Sequence, residues 1–289
     1  MKVLILGAQG NLGQQLMKVF WGSEVVGMDA SELDVTNKEL VLDTIKNIKP
    51  AVIINATAYN AVDKCEGNDE EFEVARRVNT GALGTLSQAA LSEGAVLVHY
   101  STDYVFDGEV EDGYGEGSEP SPINKYGVSK LGGEKEITAL AARGLKYYII
   151  RTSRLFGPQG KSRNAKQNFF DLIYKKSKES QEISAVTDEV ASFAYTPDLA
   201  LATKNLLEQD NEYGIYHIVN SGSASWYEAA RELLKILNRE NYDIKPISGD
   251  SLPRPARRPR NSVLRNTKIE SLRSWQDALR EYAQDYIID

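Results

Sequence analysis

A doubly wound parallel α/β fold is the class this sequence predicts, and three observations carry the expectation. Short, continuously apolar runs recur along the first half of the chain. Each is followed by a longer stretch of helical periodicity. The first run passes straight into a glycine-rich turn, Gly7-Ala8-Gln9-Gly10-Asn11-Leu12-Gly13. Runs that are apolar throughout imply strands buried on both faces, and regular β–α alternation implies parallel pairing.

The elements follow in order. Residues 3–6 read as a strand, 12–20 as a helix and 24–28 as a strand. Residues 38–48 read as a helix stopped by Pro50, and 51–54 as a continuous apolar strand. A helix over 70–93 is closed by Gly94, a strand follows at 95–98, and a helix over 126–143 is closed by Gly144 before a strand at 146–150. This pattern predicts a Rossmann-type dinucleotide-binding domain over 1–152, completed by part of 185–222. Beyond it the pattern loosens: a loop at 156–160, a polar-faced helix at 168–178, a strand at 215–219, a helix at 226–238, a basic proline-rich loop at 252–259 and a helix from Trp275. Residues 153–184 and 223–289 are expected to form a smaller C-terminal α/β lobe that binds substrate. The acidic, glycine-rich stretch 109–119 reads as a solvated surface flap.

Composition narrows the function classes. The 289 residues carry 34 Lys plus Arg against 41 Asp plus Glu, a formal charge of −7. That balance argues against a general nucleic-acid binder, which needs a net basic face for phosphates. One cysteine, Cys65, and two histidines, His99 and His217, give neither a disulfide framework nor a zinc site, so no metal is expected. The N-terminal apolar run breaks at Gly7, too short for a signal peptide, and no stretch approaches the ~18 apolar residues of a membrane span. A soluble, cytoplasmic protein is expected, as a monomer or homodimer.

The glycine turn suits a dinucleotide. Glycines allow a tight turn and close backbone approach to a pyrophosphate, and the following helix offers N–H groups and a positive dipole end to the anion. The spacing is G-x-x-G-x-x-G. Asp29 closes the second strand, where an acid can bind a ribose 2′-hydroxyl and would repel a 2′-phosphate; this tilts the expectation toward NADH over NADPH. Asp34-Val35 lies where the adenine would be flanked, or is a helix N-cap region. Small residues in Asn55-Ala56-Thr57-Ala58-Tyr59 leave room for cofactor at a strand's carboxyl end.

Tyr126-Gly127-Val128-Ser129-Lys130 places a phenol and an ammonium four residues apart on one helix face. A free tyrosine has a pKa of ~10, and a neighbouring ammonium would stabilise its phenolate and bring it toward neutrality. Ser101-Thr102-Asp103-Tyr104-Val105-Phe106-Asp107-Gly108 stands at the carboxyl end of the strand, here read over 95–100, putting hydroxyls at the mouth of the sheet, where one can hold a carbonyl in line with the phenol. Arg254, Arg257, Arg258 and Arg260 crowd a loop of an acidic protein, and arginine forks match diphosphate oxygens; the plainer reading is a solvated basic loop. His99 and His217 read as packed, hydrogen-bonded side chains.

The glycine turn, 55–59, Ala61-Val62-Asp63, the 101–108 block, 126–130 and Arg151-Thr152-Ser153, in this order, resemble the extended short-chain dehydrogenase/reductases, and within them the dTDP-4-dehydrorhamnose reductase family. The similarity extends to 214–217, Ser225-Trp226-Tyr227 and Arg258-Pro259. It implies NAD(P)H-dependent reduction of the 4-keto group of a nucleotide-activated 6-deoxy sugar, most simply dTDP-4-dehydro-L-rhamnose. By the resemblance Tyr126 donates the proton, Lys130 anchors the nicotinamide ribose and tunes Tyr126, and Thr102 (or Ser101) positions the keto oxygen. The expected cofactor set is Gly7, Gln9, Gly10, Asn11, Leu12, Gly13, Asp29, Asp34, Val35, Ala56, Thr57, Ala58, Tyr59, Asn79, Tyr126 and Lys130. The expected substrate set is Ser101, Thr102, Asp103, Val105, Arg154, Asn168, Trp226 and Arg258, with Lys161 and Arg163 as further candidates. The chain departs from the family at Arg154, usually tryptophan, along 188–196, in a longer loop after Gly157, and at Arg260. Gln15 replaces a glutamate of a magnesium-linked dimer contact, so no metal is carried over. The alternatives are another nucleotide-sugar 4-reductase or epimerase of the superfamily, or a non-catalytic cofactor-binding regulatory subunit.

Overall fold

The computed structural model describes residues 1–162, 165, 167–179, 182–209 and 211–287. The first half alternates as read: β1 (Lys2–Leu6), α1 (Asn11–Val19), β2 (Glu24–Met28), α2 (Lys38–Ile48), β3 (Val52–Asn55), α3 (Val62–Gly67), α4 (Asp69–Arg76), α5 (Ala82–Glu93), β4 (Val96–Thr102), α6 (Lys125–Thr138) and β5 (Lys146–Thr152). The second half carries β6 (Leu155–Phe156), α7 (Phe169–Lys178), β7 (Ile183–Val186), β8 (Val190–Ser192), β9 (Ala194–Tyr195), α8 (Thr196–Glu208) and β10 (Gly214–His217). It ends with β11 (Asn220–Ser221), β12 (Ser223–Ser225), α9 (Trp226–Ile236), β13 (Ile244–Ile247), β14 (Leu272–Ser274) and α10 (Trp275–Tyr282).

Six strands form one parallel sheet in the order β2-β1-β3-β4-β5-β10. The chain runs outward from β1 to β2, returns to β3 and continues the other way, so the order reverses between β1 and β3. Ligands of such folds bind at that reversal, outside the strands' carboxyl ends. Alternate strand residues feed opposite layers, as a period of two requires. Val3, Ile5, Ile54, Val98 and Ile150 pack under α1 and α8, whereas Leu4, Leu6, Ile53, Leu97 and Ile149 pack under α2, α5 and α6. A separate apolar cluster of Phe156, Phe170, Phe193, Tyr195, Leu233, Trp275 and Leu279 gathers the later elements.

Three expectations shift. The helix over 70–93 is interrupted by a π-turn at Arg77–Gly81. The helix over 126–143 stops at Thr138, and a 3₁₀ turn at Ala141–Arg143 leads to Gly144 in the left-handed region, φ 93°. The stretch 109–119 is not wholly solvated. Its first acids are exposed, but Tyr114 is buried and stacked on Phe106, centroids 4.2 Å apart. Glu116 is buried too, accepting hydrogen bonds from the main-chain N–H of His217 and Thr267 and from the Thr267 hydroxyl. Among the described residues, no helix is long and apolar enough to cross a membrane.

Candidate active site

The glycine turn sits at the carboxyl end of β1, its Gly7 N–H donating to Met28 O of β2. Helix α1 starts at Asn11 with no side chain capping it. A Cβ at Gly13 would lie 2.0 Å from Gly7 O, so only glycine lets the helix close down on the turn. A close backbone cradle at an uncapped helix start fits a dinucleotide pyrophosphate. Asp29 follows β2, half-buried. Asp34 closes its own turn, accepting from Thr36 N–H and Oγ1, and Val35 is buried against the sheet.

Across the reversal, Ala56, Thr57, Ala58 and Tyr59 follow β3. Asn79, from the π-turn, holds this segment: its Oδ1 accepts from Tyr59 N–H, and its Nδ2 donates to Tyr59 O and Ser129 Oγ. The sequence pattern missed a strap over the glycine turn. Lys161 and Ser162 each donate a main-chain N–H to Gln9 O, and Gly160 N–H donates to Asn11 Oδ1. Arg163 lies outside the described residues.

Strand β4 runs on to Thr102, so Ser101 and Thr102 are its last residues. Ser101 Oγ is buried without a hydrogen-bond partner. Thr102 Oγ1 donates to Asp103 Oδ1 at 3.0 Å and accepts from Tyr104 N–H. Asp103 is buried, and its other oxygen accepts from Ser153 (2.7 Å) and Ser262 (2.6 Å). Its carboxylate therefore braces Thr102 from within the protein. Val105 is fully buried in an apolar cluster with Phe106 and Leu264.

Helix α6 delivers Tyr126 and Lys130. Asn124 caps it, accepting from Gly127 N–H and donating to Arg257 O of the basic loop. The half-buried Tyr126 stands edge-on to Tyr104, centroids 5.9 Å apart. Burial pushes its phenol up from the usual value, opposed by the Thr102 hydroxyl and reinforced by Asp103 and Tyr104. The expected lowering by Lys130 does not figure among these influences. Lys130 is 2% exposed, with Nζ 2.6 Å from Tyr100 O and 3.1 Å from His99 Nε2. One turn further on, Glu134 forms a buried, two-pronged ion pair with Arg151 of β5.

Arg258, Arg254, Arg260, Arg154 and Asn168 are committed to protein partners. Arg258 grips Asp63 with both terminal nitrogens, at 2.5 and 2.7 Å, and this fork holds the Asp63 carboxyl below its usual range. Arg254 pairs with Glu189 and Arg260 with Asp250. Arg154 takes a positive φ of 28°, lies 3.9 Å over the Trp226 ring and donates to Ala224 O and Glu189 O. Asn168 caps α7 and reaches Gly157 O and the Tyr282 hydroxyl. Asp103 and Tyr104 act electrostatically on both Tyr126 and Arg154, and the Tyr104 ring stands 5.9 Å from that of Tyr126.

Comparison with known proteins places this chain in a lineage. A family described as RmlD substrate binding domain matches residues 1–288. The dTDP-4-dehydrorhamnose reductase of Aggregatibacter actinomycetemcomitans is 35% identical over 98% of this chain and 99% of its own. A probable dTDP-4,6-dihydroxy-2-methyloxan-3-one 4-ketoreductase of Streptomyces antibioticus is 32% identical over 99% and 96%. Among solved structures, the dTDP-4-dehydrorhamnose reductase of Bacillus anthracis str. Ames in complex with NADP superposes with a TM-score of 0.90 at 34% identity, covering 98% of this chain and 99% of that one. Matched along essentially its whole length, the chain belongs to the RmlD substrate binding domain family.

Proposed function

We propose that this protein is an NAD(P)H-dependent reductase that converts a nucleotide-activated 4-keto-6-deoxy sugar to the 4-hydroxy sugar, with dTDP-4-dehydro-L-rhamnose the first substrate to try. What supports the reading is Thr102 at the end of β4 within hydrogen-bond reach of Tyr126, with Lys130 one turn further along α6, in a chain whose full-length relatives include dTDP-4-dehydrorhamnose reductases. A bound dihydronicotinamide would supply the hydride, held by Gly7, Gly10 and Gly13 at the α1 N-terminus and by Lys130 at the ribose. Thr102, braced by Asp103, orients the keto oxygen. Tyr126 gives that oxygen its phenolic proton as the carbon becomes tetrahedral. A half-buried phenol whose pKa is raised stays protonated near neutrality, which is the state a proton donor needs. The Arg254–Arg260 loop is the proposed contact for the sugar's diphosphate, with Arg258 exchanging some of its Asp63 pairing for phosphate oxygens.

The test is oxidation of NADH and NADPH against a panel of 4-keto nucleotide sugars. Tyr126→Phe is expected to lower kcat by about 10²–10⁴-fold with dinucleotide affinity retained. Undiminished turnover in that variant sinks the assignment. Asp29 favours NADH, so Asp29→Ala is expected to narrow the preference between the two cofactors; a wild type that strongly prefers NADPH overturns this use of Asp29.

A further inference from the structure

Arg154 carries a charge that no protein group neutralises by direct contact. It follows Ser153 just past the carboxyl end of β5, on the side of the sheet where ligands of such folds bind. Its half-buried guanidinium is held in one place. Nη1 donates to Ala224 O and Nη2 to Glu189 O, both at 2.8 Å, while the central carbon lies 3.9 Å over the Trp226 ring and 5.3 Å over that of Phe193. Both acceptors are neutral main-chain carbonyls, and these two bonds leave most of a guanidinium's N–H donors unused. Stacking on an indole fixes the plane without supplying a counter-charge.

The carboxylates nearby are engaged elsewhere. Asp103 holds the hydroxyls of Thr102, Ser153 and Ser262, Glu189 pairs with Arg254, and Asp63 sits in the Arg258 fork. Among the described residues, Arg154 has no ion pair. Burial pushes its pKa down to about 10, with Tyr104, Asp103 and Glu189 opposing. The backbone carries a cost as well: φ is 28°, in the left-handed region that glycine or asparagine adopts more readily than arginine. A strained, desolvated cation without a partner is normally avoided, and an anionic ligand would compensate it.

Arg154 and Arg258 both act electrostatically on Tyr104, whose ring stands 5.9 Å from that of Tyr126. Tyr104 therefore adjoins both the proposed proton donor and two guanidiniums. A keto sugar whose C4 oxygen meets Tyr126 carries its anomeric phosphate at the other end of the ring. We infer that Arg154 is a specificity-determining residue that binds the sugar-side phosphate of the substrate's diphosphate, forming a two-arginine clamp with Arg258. The inference rests on the reading of a nucleotide-activated substrate and names the group that Arg154 takes. Arg258 has to loosen its Asp63 fork to reach a phosphate, whereas Arg154 gives up no ion pair and keeps donors in reserve. Its charge is thus fully available to the ligand. Selectivity follows from chemistry: a nucleoside monophosphate lacks the group that Arg154 holds.

The test is calorimetric titration of the full chain with dTDP and with dTMP, which differ only in the sugar-side phosphate. Arg154→Gln removes the charge and keeps an amide donor for the neighbouring carbonyls. It is expected to raise the Kd for dTDP about tenfold or more while the Kd values for dTMP and NADH stay within about twofold of wild type. An unchanged Kd for dTDP overturns the inference. So does an equal rise for both nucleotides, which marks a disturbed pocket and not a lost phosphate contact. Should Arg154→Gln not fold, Arg154→Lys decides, since it keeps the charge without the fork: a rise confined to dTDP is expected, and the same two outcomes overturn the assignment. A wild type that binds neither nucleotide sinks the proposed function and this inference together. A wild type that binds both, with the Arg154 variants unchanged, sinks the inference alone.

Discussion

Asp103 organises the end of β4 by gathering three hydroxyls on one buried carboxylate, those of Thr102, Ser153 and Ser262. Burial raises its pKa, and the hydroxyls from Ser262, Ser153 and Thr102 oppose. Hydrogen bonds to an ionised group are worth about 1.5–3 kcal/mol each, and removing their acceptor strands buried donors. Asp103→Ala is therefore expected to lose about 3 kcal/mol in urea titration and at least about tenfold in kcat, because Thr102 loses its brace. A wild-type midpoint and turnover would mean that Thr102 holds its own orientation. The proposed reacting groups were legible as positions in the sequence, because a strand end and a four-residue helical spacing place Thr102, Tyr126 and Lys130. Their supports were not: Ser153 and Ser262 lie 50 and 159 positions from Asp103. For the same reason the sequence offers Arg258 as a free phosphate fork, while the fold brings Asp63 to it from 195 positions away.

Helix α6 must approach the π-turn closely to set Tyr126 and Lys130 against β4. At Gly133 an added Cβ would lie 2.2 Å from Asn79 O, a main-chain atom that cannot swing aside. Gly133→Ala is expected to force the helix outward, costing about 2 kcal/mol or more in stability and lowering kcat along with it. Gly117→Ala, where a Cβ meets nothing within 4 Å, should stay within about 0.5 kcal/mol of wild type. Equal effects at the two positions would remove packing as the cause. The end of α5 was readable, since Gly94 takes a left-handed φ of 68° just past it, whereas Gly144, φ 93°, closes a 3₁₀ turn beyond the end of α6 at Thr138. The π-turn was not readable. A single wide turn leaves the apolar periodicity of 70–93 intact, and what identifies it is Asn79, whose bonds run to Tyr59 and Ser129 on other elements.

At the scale of the molecule, an acidic chain of net charge −7 and pI ≈ 5.2 should gain from mild acid, because self-repulsion relaxes toward the pI. The two histidines oppose that. Burial drives both below their ordinary pKa of ~6.5: His99 well below, and His217 to about 4, with Glu116 resisting and Arg151 assisting. Each stays neutral when folded and takes a proton when unfolded, so the unfolded chain binds more protons throughout the window between the two values. Stability from this source is complete above ~6.5 and drains away as pH falls toward the folded values. For His217 the loss between pH 7.5 and pH 5 is about 2 kcal/mol, and His99 adds to it in the same direction. The carboxylates whose pKa is lowered, the half-exposed Asp63 and the buried Glu116 among them, add their own losses only at lower pH. The urea midpoint is therefore expected to fall between pH 7.5 and pH 5 although net charge is shrinking, and His217→Gln should remove a clear part of the fall. A midpoint that rises with the approach to the pI would mean that whole-molecule repulsion outweighs the two buried rings.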